Sequence, residues 1–157
     1  MTTYMETSSE DVIIADTSGL VSLLLPGDHN HKEALKAARQ LQAKQKSILI
    51  PAAVFVELLN ILGRKVGHAA ALAAVSELYP PFVVLTTQAN VAQAQKKFAE
   101  LPQSVSFTDC LMMATADEYE TLAIFGFDKQ FTAHSIGLRS CFKIHASRFS
   151  KSRIILI

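Results

Sequence analysis

Short apolar runs alternate with longer stretches of helical spacing along this chain. Val12-Ile13-Ile14-Ala15 is a run of the kind buried in a parallel sheet, and Asp16-Thr17-Ser18 after it supplies side chains that cap helices. Leu20 to Leu25 stays apolar until Pro26-Gly27-Asp28 breaks it, so the opening reads strand, tight turn, helix. Ala34, Leu35, Ala38 and Leu41 recur at helical spacing between His31 and about Gln45, and Ser47-Ile48-Leu49-Ile50 follows as a second strand. Pro51 suits the first turn of a helix from Ala52 to about Arg64, where its missing N–H is harmless. Gly67 to Leu78 forms another, Ala-rich helix, which Pro80-Pro81 stops before Phe82-Val83-Val84-Leu85, the third strand. Gln88 to about Glu100 reads as a helix, Leu101 to Ser106 as a loop, Phe107 to about Tyr119 as a helix and Leu122 to Phe125 as the fourth strand. A short helix after Asp128 and a last strand near Leu138 to Ile144 complete the expectation. This alternation predicts an α/β fold, a parallel sheet covered by helices on both faces and built from right-handed crossovers.

With 157 residues, half of them apolar, the chain suits one well-filled core. The expected division is a loose leader over 1–10, a single domain over 11–145 and a basic tail over 146–157. There is no internal repeat, no low-complexity segment and no glycine-rich phosphate loop. No apolar run approaches the roughly 20 residues of a membrane span, and MTTYMETSSEDV lacks the features of a signal peptide, so a cytoplasmic protein without a membrane role is expected. Cys110 and Cys141 fit neither a disulfide framework nor a zinc site and read as reduced, buried thiols.

Charge sharpens this picture. Only 18% of residues are charged, against roughly 25% in soluble proteins, which suggests helices buried on more than one side or a surface covered by a partner. The net charge of +1 hides an asymmetry: Lys129, Arg139, Lys143, Arg148, Lys151 and Arg153 follow Asp128 with no acid among them. A basic end beside an acidic body is what a phosphate-binding flank next to a metal site looks like, and equally what a solvated tail looks like.

In an open parallel sheet, ligands collect at the carboxyl edge of the strands. Asp16 directly follows strand one and Asp128 follows strand four. Asp109 opens the helix running back to strand four, and Glu57 lies in the second turn of the helix after strand two, its side chain leaning towards that helix's N-terminus. All four acids converge on one edge. Each has a structural explanation: Asp16 and Asp128 as helix N-caps, Ser106 to Asp109 as a capping box, Glu57 as part of a polar stripe with Asn60 and Arg64. Together, however, they would repel one another and raise each other's pKa unless a cation neutralised them. Oxygen-only ligands favour Mg²⁺ or Mn²⁺. A pair of such ions about 4 Å apart holds a phosphodiester between them and activates water, with no covalent intermediate. Thr17, Ser18 and Thr108 lie beside the acids and read either as caps or as supports for a ligand carboxylate or phosphate oxygen. His29-Asn30-His31 reads as a solvated turn, and Phe127 and Phe131 as packing rather than base-stacking residues.

Four stations carry a resemblance over about Val12 to Phe131: Ile13-Ile14-Ala15-Asp16-Thr17-Ser18, Val54-Phe55-Val56-Glu57-Leu58, Ser106-Phe107-Thr108-Asp109-Cys110-Leu111-Met112-Met113-Ala114 and Ile124-Phe125-Gly126-Phe127-Asp128-Lys129-Gln130-Phe131. In this order and spacing the sequence resembles the PIN-domain family, in particular its bacterial VapC-like toxin ribonucleases. The resemblance implies a three-layer α/β/α domain with a parallel sheet of four to five strands ordered 3-2-1-4-5. It also implies Mg²⁺- or Mn²⁺-dependent endonuclease action on RNA, a homodimer and a cognate antitoxin. Asp16, Glu57, Asp109 and Asp128 match the family's acidic quartet, as metal ligands and catalytic groups. For RNA contact the candidates are Arg64, Lys96, Lys97, Arg139 and Arg148. One departure is Gly126, where members often carry Thr or Ser two residues before the fourth acid.

Two other classes compete. The same fold with a weak or inactive site would be a binding protein acting through an antitoxin or nucleic acid. A phosphatase normally has a second aspartate two residues after the first, and Asp16-Thr17-Ser18 lacks it; a receiver's acidic pair and lysine are likewise not evident.

Overall fold

The run Val12-Ile13-Ile14-Ala15 forms strand β1, and all of its residues are buried. Successive side chains of a strand point to opposite faces, so both faces of β1 are covered. A computed structural model describes residues 12–78, 82–121 and 123–127. In it β1 (Val12–Ala15) leads to helices α1 (Thr17–Leu24) and α2 (His31–Ala43), strand β2 (Ser47–Pro51), helices α3 (Ala52–Val66) and α4 (His68–Val75), strand β3 (Val83–Val84), helices α5 (Gln88–Glu100) and α6 (Phe107–Glu118), and strand β4 (Ile124–Phe125).

The strands form one sheet in the order β3-β2-β1-β4, and every pairing is parallel. Ile13 pairs with Ile48, Ala15 with Phe125 and Ile50 with Val83. With helices enclosing the sheet, this is the three-layer α/β/α arrangement expected from the alternation of elements. The fifth strand near 138–144, the short helix after Asp128, and the leader and tail lie outside the described residues.

Several boundaries differ from the sequence reading for physical reasons. Pro51 is the last residue of β2 and the N-cap of α3, rather than a first-turn residue; its extended ψ of 140° suits both roles. Gly67, at φ 85°, separates α3 from α4, a backbone angle that glycine adopts without steric penalty. Strands β3 and β4, outermost among the described residues, are shorter than the apolar runs that announce them.

The core gathers Ile14, Leu20, Ile50, Val54, Leu58, Leu62 and Met112 from the sheet and its helices. Gly19 lets α1 lie directly against β4: a Cβ there would stand 2.4 Å from the carbonyl oxygen of Phe125. The Thr121 hydroxyl donates to the Val12 carbonyl at 2.6 Å, holding the approach to β4 beside β1. Helices α5 and α6 are joined by Asn90 donating to Glu118 at 2.8 Å and by the Lys97–Asp117 ion pair at 2.7 Å. Among the described residues no helix is long and apolar enough to cross a membrane.

Candidate active site

Asp16 sits where β1 ends and α1 begins, at the carboxyl edge of the central strand. It is the N-cap of α1, and its Oδ2 accepts the Ser18 N–H at 3.2 Å. The Ser18 hydroxyl also donates to Oδ2 and accepts the N–H of Phe127 at 2.9 Å. One hydroxyl therefore ties the end of β1 to the segment leaving β4. The cap reading and the site reading of Asp16 are compatible, because the cap uses Oδ2. Only 6% of Asp16 is exposed, and this burial pushes its carboxyl from 3.8 to about 6. The Ser18 bonds oppose that rise, and the charge of Asp109 adds to it.

Glu57 reaches the same edge from α3. The Thr17 hydroxyl, in the first turn of α1, donates to its Oε2 at 2.8 Å. Consecutive residues thus hold two of the expected acids, Ser18 on Asp16 and Thr17 on Glu57. Asp109 is the third residue of α6 and closes a capping box with Ser106: its Oδ2 accepts the Ser106 N–H at 2.8 Å and the Ser106 hydroxyl at 2.7 Å. Thr108 is half-buried beside it.

The structure places Asp16, Glu57 and Asp109 on three elements around this edge, although among the described residues no three acids, histidines or cysteines are close enough to hold a metal ion together. Asp128, Arg139 and Arg148 lie outside the described residues. Of the cations expected near RNA, Arg64 and Lys96 are exposed, while Lys97 is engaged with Asp117. Asp117 and Glu118 stay out of the site, held by Lys97 and Asn90.

Two features escaped the sequence. Gly126 was noted for a missing hydroxyl, but it packs against the first acid: a Cβ there would come within 2.9 Å of both Cβ and Oδ2 of Asp16. The only sequence signal was a glycine directly after an apolar run. The Phe127 N–H is the second, a backbone group to which no residue pattern points. His31 is not a solvated turn residue: its ring Nδ1–H donates to the Ser22 carbonyl at 2.8 Å, while His29 is largely exposed. Cys110 is fully buried, and burial pushes its thiol pKa up, as expected of an inert cysteine.

The PIN domain family matches residues 13–136, a span that includes all four acids. This chain belongs to the PIN domain family. Among solved structures, this PIN domain is similar to the crystal structure of Mycobacterium tuberculosis VapC20, described as a sarcin–ricin loop cleaving toxin. The likeness has a TM-score of 0.67 at 25% identity and covers 77% of this chain and 93% of that one. No curated protein matches the sequence.

The donor chemistry of the PIN domain site fits a hard divalent cation. Its acids offer only oxygen, Asp16 is buried, and its ionised form is disfavoured by burial and by Asp109, which a bound cation would reverse. The capping bonds from Ser106 occupy one oxygen of Asp109, Oδ2.

Proposed function

We propose that this PIN domain is a metal-dependent endoribonuclease, the toxin of a toxin–antitoxin pair, that hydrolyses RNA phosphodiester bonds with metal-activated water. One observation carries the reading: a buried carboxylate at the end of the central parallel strand is clasped by Ser18, the neighbouring Thr17 holds a second carboxylate, and the charge of Asp109 reaches the first. The likeness to a sarcin–ricin loop cleaving toxin supports RNA as the substrate class.

In this reading Asp16, Glu57, Asp109 and Asp128 hold Mg²⁺ or Mn²⁺. The bound cation supplies a Lewis acid for the phosphate and lowers the pKa of the attacking water. The chain's own residues fix the ligands. Ser18 orients Asp16 and leaves Oδ1 clear of its bonds; Thr17 holds Glu57 in one rotamer; Ser106 sets the direction of Asp109. Burial of Asp16 excludes water from that carboxylate and strengthens its attraction for a cation.

The partners proposed are an RNA substrate, a second copy of the chain in a homodimer and a cognate antitoxin in the cytoplasm. Exposed apolar side chains, among them Val56, Leu72 and Leu85, give such partners surface to cover. A second reading, a catalytically weak binding protein, is favoured by Asp109 being turned into its own helix cap.

Cleavage of pooled RNA by purified, antitoxin-free protein tests the choice, with Mg²⁺ or Mn²⁺, with EDTA, and with Asp16→Asn or Asp109→Asn. The nuclease reading expects cleavage that metal supports and either substitution abolishes. Folded protein that binds RNA or an antitoxin peptide but cuts nothing with either metal supports the second reading.

A further inference from the structure

Helix α2 has two unlike faces. Ala34, Ala38 and Leu41 are buried on one. Lys32, Lys36 and Arg39, each two residues before one of those, are exposed on the other, since two residues advance a helix by just over half a turn. Among the described residues these cations, with Leu35, Gln40 and Ala43, line an open groove of about 470 Å³. Among the described residues none of them forms an ion pair with a carboxylate. Cations three and four positions apart on one helix repel each other, so an unpaired row of them does not stabilise the helix and offers its charge to an outside anion.

We propose that the Lys32–Lys36–Arg39 face of α2 contacts the phosphate backbone of the RNA strand, away from the carboxylates that cut it. The inference rests on the ribonuclease reading and adds where the rest of the substrate runs. Along the helix axis the row spans about 10 Å. Each of its three cations can meet one phosphate of a single strand. Among the described residues no aromatic side chain lines the groove, and Leu35 is the one large apolar member. These described residues offer no anchor of the kind from which protein interfaces draw their affinity, and lysine is depleted in such interfaces; phosphates need neither anchor nor pocket. Its position suits the role: α2 packs on α1, the helix that Asp16 caps, and the two are linked where His31 bonds to Ser22.

The test is equilibrium binding of the full chain to a short fluorescein-labelled single-stranded RNA in EDTA, followed by anisotropy across a salt series. The variants are Lys32→Ala/Lys36→Ala/Arg39→Ala and the charge-keeping Lys32→Arg/Lys36→Arg/Arg39→Lys. Alanine favours the helix, so the first variant keeps the fold, which circular dichroism verifies. The proposal expects weaker binding and a slope of log K against log salt shallower by about 2, at ~0.7 per single-strand phosphate contact, with the charge-keeping variant close to the parent. An unchanged slope and affinity in the alanine variant overturns it, as does a parent chain that binds no RNA. Unchanged RNA binding combined with lost binding of a polyglutamate peptide also overturns it, assigning the face to an acidic protein segment. RNA that is bound in this salt-dependent way but never cut when metal is added leaves this surface standing and removes the nuclease reading instead.

Discussion

The hydroxyl of Thr17 donates to Oε2 of Glu57 at 2.8 Å, joining side chains from helices α1 and α3. Thr17 is buried, so its removal leaves an acceptor on Glu57 without its protein donor. A hydrogen bond to a charged group contributes about 1.5–3 kcal/mol. Thr17→Val, which keeps the shape and removes the donor, is expected to lower unfolding stability by about 1–2 kcal/mol with an unchanged denaturant slope, and to weaken metal-dependent cleavage. Thr17→Ser should retain most of both. Urea melts and initial cleavage rates check this.

Asp16 predicts a pH dependence of the metal-free protein. Its carboxyl titrates at about 6 in the folded state against an ordinary 3.8. Below the ordinary value the group is neutral in both states and carries no penalty. Between the two values the unfolded chain ionises while the folded chain holds its proton, so this contribution to stability falls as pH rises, and above about 6 the loss is complete, on the order of 3 kcal/mol. Asp16→Asn removes this dependence. The variant should exceed the parent in urea stability near pH 7, and the difference should shrink towards about pH 4. Saturating Mg²⁺ should stabilise the parent near pH 7 and leave the variant little changed. A difference that grows on acidification would contradict the assignment.

Gly126 gives the third prediction. The resemblance suggests that a hydroxyl is missing here, so Gly126→Thr would be expected to improve the site. The structure reverses that sign, because the added Cβ meets Asp16 at 2.9 Å. Overpacking of this kind costs about 1–3 kcal/mol. Gly126→Thr should lower both stability and cleavage, the latter by tenfold or more if Asp16 is displaced by about 1 Å. Gly126→Ala, carrying the same Cβ, should already show part of the loss in a thermal melt and a cleavage assay.

Gly19→Ala probes the packing beneath the site. Its Cβ would stand 2.4 Å from a backbone oxygen of Phe125, which cannot rotate away as a side chain can. The usual gain in helix propensity from Gly to Ala, about 1 kcal/mol, is expected to be outweighed, with a net destabilisation of about 1–3 kcal/mol in chemical denaturation.

The sequence by itself determined the order and type of the elements in the described residues. Apolar runs such as Val12 to Ala15 and helical spacing such as Ala34, Ala38 and Leu41 are local patterns, and burial follows them directly. It also determined that Asp16 stands at the carboxyl edge, because a residue just after a parallel strand has nowhere else to be. Strands β3 and β4 were less legible: they pair over fewer residues than their apolar runs, since the neighbouring strand and not the run sets the length of a ladder. Only the tertiary structure decided which hydroxyl holds which acid, that Asp109 turns to Ser106, that Gly126 is glycine for want of space beside Asp16, and that the α2 cations line one groove. Those relations join residues distant in sequence or depend on a gap of an ångström, and hydrophobic periodicity records neither. It reports which side of an element faces inward and is silent on what it meets there.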